Sequence, residues 1–437
     1  MDCIYAIPTH RPMLEKNVND YFEEVSYAKK TFSKRVLLAF FEDSEKYINK
    51  ELINNISKKF PDIDYMYINR DDTRKVYDLI YEKLSFQAKK IFLKLYPNKN
   101  VNYGNIFNRI FIFALILKCD YICRRDSDVL IEEQNGEKIY PIKNELAFLG
   151  NQDKTNGKII YICGGGYKET YNLDIESLIK SNGKDYSLVR KLFTCMSIPK
   201  EHHDDIINEE ILNNNLPFKY DEIDFDSRAY PECGNVGIYK IYKYFPSASQ
   251  DFILGSDYFF IDVSVHSKLD VVYHNRAVIH RHTKDRKQEY NKVYNYWKGF
   301  LMLIDSQVFY REFYEKYLDD KDFNDFTLIN ENVKQLINNM NKELIDNFVK
   351  NKTKRIIKLD ECLNVLGESD DNQIREISKS LKNEYDFIIE FTNQSIKDHI
   401  DLIENWNEIS TVASGISDIT EIKELISNKL VEGNSYE

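Results

Sequence analysis

The sequence predicts an α/β protein: a mixed, mostly parallel sheet flanked by helices, followed by a C-terminal helical region. Three observations predict it. Strand-like and helix-like segments alternate through roughly the first 130 residues. An apolar strand then runs straight into two carboxylates, Asp126 and Asp128. From Glu289 onward the chain becomes aromatic-rich and then charged and Leu/Ile-periodic.

The alternation starts at once. Cys3 to Ile7 reads as a buried strand that Pro8-Thr9-His10-Arg11-Pro12 breaks before an amphipathic segment, Met13 to Phe32. Arg35 to Phe41 is a second strand, followed by a helix from about Ser44 to Phe60 and a third strand from Ile63 to Asn69. Such alternation implies parallel strands covered on both faces. Asp43 and Asp71, just past the second and third strands, are placed to accept from a ribose hydroxyl or base N–H; capping the next helix is the plainer use of acids there. Residues 73 to 100 read as a helical excursion, and the long apolar run Asn102 to Lys118 as a buried helix.

That helix feeds Asp120-Tyr121-Ile122-Cys123-Arg124-Arg125-Asp126-Ser127-Asp128-Val129. In an extended segment, positions i and i+2 face the same side, so Asp126 and Asp128 can share one divalent cation. Mg2+ in particular is held by one or two carboxylates plus substrate phosphates. A polar turn closing a strand is the plainer reading of Asp-Ser-Asp.

Further along, Ile131 to Tyr140 reads as a hairpin about Asn135-Gly136, and Lys158 to Cys163 as a strand. Gly164-Gly165-Gly166 lacks phosphate-loop spacing and reads as a flexible turn. Residues 168 to 232 are polar and helical in tendency; neighbouring side chains in His202-His203-Asp204-Asp205 splay around a helix, which disfavours a metal site. In Phe252 to Asp262, Asp257 follows Gly255-Ser256 and suits either an acidic functional group or a helix N-cap. Asp270 to His282 alternates as one strand with His274, His280 and His282 on one face. Arg276, Arg281, Lys284 and Arg286 add cations suited to a diphosphate.

The order of a Gly104-x3-Asn108-Arg109 helix, a strand and D-x-D resembles the nucleotide-sugar-dependent glycosyltransferases of the GT-A fold, over roughly residues 1–290. The resemblance implies a nucleoside diphosphate sugar donor, with Pro8, Thr9 and Arg11 lining the nucleobase pocket and Asp43 and Asp71 near the base or ribose. Arg109 would face the diphosphate or order the metal loop. Asp126 and Asp128, completed by His280 or His282, would hold Mn2+ or Mg2+, with Arg276 beside the leaving group and Asp257 as base if the reaction inverts. The acceptor, whether small molecule, glycan or peptide, is not legible. The domain expectation is a catalytic unit at 1–290, its nucleotide half about 1–130 and its acceptor and metal half about 131–290, with helices at 291–437. Those helices could pair two copies of the chain.

Composition excludes some classes. A formal charge of −11 disfavours duplex nucleic acid as a partner, because phosphates need a basic surface. The longest apolar run, Ile110 to Leu117, is far short of the ~20 residues of a membrane span. Seven cysteines without paired C-x-x-C spacing, and no signal-peptide pattern at the N-terminus, lead us to expect a cytoplasmic protein with reduced thiols. Two alternatives remain at this level. A sugar nucleotidyltransferase would open on a Gly-rich phosphate loop, and residues 8–12 contain no Gly; a non-catalytic scaffold would use the helical tail to bind a partner.

Overall fold

The computed structural model describes residues 2–44, 48–97, 102–168, 178, 186–207, 223–224, 231–249, 253, 255–280, 290–318 and 329–416. Its strands are β1 (Cys3–Thr9), β2 (Val36–Glu42), β3 (Tyr65–Ile68), β4 (Tyr121–Arg125), β5 (Val129–Ile131), β6 (Glu133–Gln134), β7 (Glu137–Lys138), β8 (Ile160–Gly164), β9 (Tyr167–Lys168), β10 (Ile223–Asp224), β11 (Asn235–Tyr239), β12 (Asp270–His274) and β13 (Val278–His280). The protein is mixed α/β with a mostly parallel central sheet and many helices. The central sheet runs β10-β12-β8-β11-β4-β1-β2-β3, and β5-β13-β9 form a second, three-stranded sheet. Six of the eight central strands point the same way; β11 and β10 run against them.

Side-chain alternation sorts the sheet's two faces. Ile4, Ala6, Leu37, Ala39, Phe41, Met66 and Ile68 enter one core; Cys3, Tyr5, Ile7, Leu38, Phe40, Tyr65 and Tyr67 enter the other. The buried helix Tyr103–Ile116 covers the first face, and the helices Glu15–Phe32 and Lys50–Ser57 cover the second. All seven cysteines are free and buried. No helix among the described residues is long and apolar enough to cross a membrane.

Several expectations need correcting. Pro8 does not break β1: it pairs with Phe41 and Thr9 with Glu42. β4 has left the ladder after Ala6, so Pro8 occupies an edge on that side, where a missing N–H is tolerated. The second helix spans only Lys50–Ser57, because Asn49 at its start turns its side chain to the Met13 N–H, the Arg11 carbonyl and Glu42 instead of capping. Asp270 to His282 is not one strand. The chain turns at 275–277, leaving His274 in the central sheet and His280 in the small one, so the two share no face. His282 lies outside the described residues, as do Arg281, Lys284 and Arg286.

The C-terminal helices are Tyr290–Tyr317, Ile329–Glu343, Lys352–Gly367, Asn372–Leu381 and Tyr385–Ser414. Trp297 to Ile304, Leu359 to Leu366 and Ile388 form a helical core of their own. Yet Phe309, Phe313, Leu336, Ile396, Trp406 and Ile409 lie in the same core as Ile4 and Phe111. Trp406 donates its indole N–H to the Tyr242 carbonyl at 3.0 Å. The change of composition near residue 290 is thus not a boundary between cores.

Candidate metal centre

The strand order supplies a place for a site. Leaving β1, the chain builds β2 and β3 on one side and then crosses to place β4 on the other, and such a switch point opens a crevice at the carboxyl ends of parallel strands. Thr9 ends β1 and Arg11 follows it, Asp43 follows β2, and Asp126 and Asp128 follow β4. The small sheet adds its own group. β13 pairs His280 with Val129, the residue after Asp128.

Asp126, Asp128 and His280 therefore meet, with one ligand atom from each lying within 4.8 Å of the others. This is the one such group of three potential metal ligands among the described residues. Two carboxylates and an imidazole form an oxygen-rich set with one nitrogen, which fits Mn2+ and, through its carboxylates, Mg2+. The pleat does not make this arrangement. Asp126-Ser127-Asp128 is a turn between β4 and β5, its Val129 N–H reaching the Asp126 carbonyl at 3.4 Å. The polar turn read from D-x-D is observed, and its two carboxylates lie close to His280, as a cation site would need.

Residues that composition did not mark hold this turn. Tyr21, on the helix Glu15–Phe32, donates its hydroxyl to the Asp126 carbonyl at 2.8 Å, and Asn17 donates to the Val129 carbonyl at 2.6 Å. The Tyr167 hydroxyl donates to Asp126 Oδ2 at 2.6 Å, and its ring stacks on His280 with centroids 4.5 Å apart. Burial, with Asp126 beside it, pushes the Tyr167 phenol well up, so it acts as a donor. Alternation along β4 sends its last two arginines to opposite faces. Arg125 is fully buried and bidentate to Glu145 at 2.8 and 2.9 Å, with Glu24 at 2.9 Å. Arg124 stacks over Phe107 and bridges Asp126 Oδ1 and Asp257 Oδ2, each at 3.0 Å. Burial works against the charged Arg124, but Asp126 and Asp257 outweigh it and keep it protonated.

Asp257 does not cap a helix. The N-cap position of the helix Phe259–His266 is Tyr258, with no side-chain cap, and the Ser256 hydroxyl accepts from the Gly104 N–H at 3.0 Å. Asp257 is buried, which raises its carboxyl above the usual range against the pull of Arg124. The Gly104-x3-Asn108-Arg109 motif acquires physical reasons. A Cβ at Gly104 would lie 1.6 Å from the Ala248 carbonyl oxygen. Asn108 brackets the backbone N–H and C=O of Ser247, at 2.7 and 2.9 Å. Arg109 reaches Asp43 at 2.9 Å and Thr73 at 3.4 Å.

The remaining candidates fall at varying places. Thr9 is buried and its hydroxyl donates to the Arg11 carbonyl at 2.9 Å; Arg11 Nη1 donates to Asp128 Oδ2 at 3.1 Å. Asp71 is exposed in the first turn of Arg70–Lys83 and paired with Arg74 at 3.0 Å. The cap of that helix is Asn69, in a capping box with Asp72. Arg276 is buried with its Nε toward Asn144 at 3.2 Å. His274 is buried, which lowers its pKa, and Nδ1 accepts from the Arg276 N–H at 3.2 Å. His203 bonds the Ile198 carbonyl. The glycine tract is no flexible turn: a Cβ on Gly165 would lie 2.8 Å from the His274 ring and one on Gly166 2.5 Å from the Tyr273 hydroxyl.

Gly234 is the closest such approach to the centre, and nothing in the sequence flags it. A Cβ there would lie 2.0 Å from the Tyr167 hydroxyl and 2.2 Å from Asp126 Oδ2. Both neighbours are side-chain ends, so the fold can accommodate Gly234→Ala while the ligand geometry cannot. We expect divalent-cation affinity to fall roughly 10- to 100-fold, the usual cost of disturbing a ligand's support, with the melting temperature nearly unchanged. Wild-type affinity by calorimetric titration with Mn2+ would refute this.

A family-wide sequence profile, described as a family of unknown function (DUF6271), matches residues 2–421. The chain belongs to DUF6271. No curated protein sequence matches this DUF6271 chain at a significant level. Among solved structures, it is similar to a mycobacterial protein known from its crystal structure, at 8% identity and TM-score 0.35 over 69% of this chain and 72% of that one. It is also similar to the mannosyltransferase PcManGT from Pyrobaculum calidifontis, solved with GDP-Man and Mn2+, at 8% identity and TM-score 0.36 over 91% and 85%. Likeness this distant establishes no shared activity for the DUF6271 chain.

Proposed function

We propose that this protein is a metal-dependent glycosyltransferase that moves a sugar from a nucleoside diphosphate sugar to an acceptor. The observation that carries the reading is the Asp126, Asp128 and His280 cluster at the switch point between β1 and β4. These residues would hold Mn2+ or Mg2+, which would neutralise charge on the leaving diphosphate. Arg109 supports the reading independently. It is buried, and its Nε and Nη2 have no hydrogen-bond partner among the described residues. Desolvated donors of this kind cost free energy until an acceptor arrives, and a nucleotide oxygen is a fitting one.

The reaction divides among named groups. Pro8, Thr9, Arg11, Asp43 and Asp71 form the nucleotide side, and Arg276 stands toward the leaving group. The acceptor oxygen bonds to the anomeric carbon as the bond to the diphosphate breaks. Asp257 takes the acceptor's proton, and the negative charge leaves with the diphosphate. A carboxyl held above its usual range by burial suits that role. In this reading residues up to about 130 bind the nucleotide, and about 131–290 shape the acceptor side and complete the metal site.

A thermal-shift comparison tests it. UDP or GDP should stabilise the protein in the presence of Mn2+, by about 2.7 kcal/mol at 100 times the dissociation constant. Excess EDTA should abolish the effect. Equal stabilisation in EDTA would remove the metal from the site.

A further inference from the structure

Both carboxylates of the centre already hold a guanidinium. Arg11 Nη1 lies 3.1 Å from Asp128 Oδ2, and Arg124 Nη2 lies 3.0 Å from Asp126 Oδ1. With Asp257 on the other arm of Arg124, three carboxylates face two resident positive charges. A bare divalent ion entering between Asp126 and Asp128 therefore meets a site that is already largely neutralised, with two guanidiniums competing for its ligands. Like charges a few ångströms apart repel strongly where water is scarce. An ion arriving with a diphosphate brings its own negative charge, and the repulsion becomes attraction.

We infer that Arg11 and Arg124 are resident counter-cations of the metal centre, which oppose a bare divalent ion and admit it as a complex with a diphosphate. The inference rests on the glycosyltransferase reading and adds to it the order in which the site fills. The two arginines differ in kind. Arg124 is fixed, buried against the Phe107 ring and tied to two carboxylates. Arg11 is the exchangeable one. Its backbone is pinned, since the Arg11 carbonyl accepts from Asn49 Nδ2 and from the Thr9 hydroxyl, both at 2.9 Å, and Asn49 Oδ1 holds the Met13 N–H at 2.8 Å. Its side chain is 20% exposed at the crevice mouth, with the His10 ring beside Nη2 at 3.1 Å. Arg11 would leave Asp128 when that carboxylate takes up a cation, and its guanidinium would then be free to pair with a diphosphate.

The measurement is a titration with MnCl2 at low ionic strength, following the electron paramagnetic resonance signal of free Mn2+. The full chain is compared with Arg11→Gln and Arg11→Lys, first alone and then with inorganic pyrophosphate. Arg11→Gln should bind bare Mn2+ on the order of tenfold tighter than wild type, and the manganese–pyrophosphate complex on the order of tenfold weaker. Arg11→Lys, which keeps the charge, should stay near wild type for bare Mn2+. Equal bare-ion affinity in all three proteins would overturn the counter-cation role and leave the metal centre standing. Absence of Mn2+ binding in all three, with and without pyrophosphate, would overturn the metal centre and this inference together.

Discussion

A chain ending at Lys316 should fail to form a stable sheet domain, although every residue assigned to the donor site precedes it. The cut removes Leu336, Met340, Ile396, Ile400, Leu402, Ile403, Trp406 and Ile409 from the core they share with the helix Tyr103–Ile116. Burying a side chain of this size contributes about 1.5–3 kcal/mol, so the loss is roughly 12–24 kcal/mol. That equals or exceeds the whole net stability of a typical domain, about 5–15 kcal/mol. The truncated protein should aggregate, or lack near-UV circular dichroism and a cooperative melt. A soluble fragment 1–316 with a sharp transition would show that the sheet closes its core without the C-terminal helices.

Asp128→Asn and Asp257→Asn should fail in different ways. Asp128→Asn removes a charge from the cation site and leaves Arg11 without that carboxylate, so metal-dependent nucleotide binding and sugar transfer should fall together. Asp257→Asn still offers Arg124 an oxygen but cannot take a proton. Donor binding should survive in it while turnover falls by about 10²- to 10⁴-fold, the usual worth of a general base. Measuring the nucleotide dissociation constant and the rate of donor turnover in each variant separates the two. Near-normal turnover in Asp257→Asn would move the base to another acid, with Glu232, which accepts from the Tyr258 hydroxyl, the next to substitute.

Local chemistry explains what could be read in advance. Strands at residues 3, 36, 65 and 121 were legible because each is a short apolar run whose alternate side chains enter two different cores. The Asn135-Gly136 hairpin was legible because both residues adopt positive φ, of 52° and 81°, which that dipeptide favours. Asp126, Asp128 and His280 could be named as ligands because their chemistry is limited to few uses. Gly104, Asn108 and Arg109 could be named as a pattern, but their reasons lie at Ala248, Ser247 and Asp43, far away in sequence.

The sequence by itself determined the α/β class, the strand that ends in the acidic turn and the residue types able to hold a cation, since periodicity and side-chain chemistry act over a few residues. Only the tertiary structure decided which groups meet. It separated His274 from His280 by a turn between two sheets and gave Arg124 the carboxylate of Asp257 and Arg125 that of Glu24. It also brought Gly234 so close to Asp126 that a Cβ there would displace the Asp126 carboxylate. It joined the C-terminal helices to the sheet's core, because the apolar faces of the helices Tyr103–Ile116 and Tyr385–Ser414 are buried against each other. Such pairings depend on contacts between residues a hundred or more positions apart, and no local pattern encodes them.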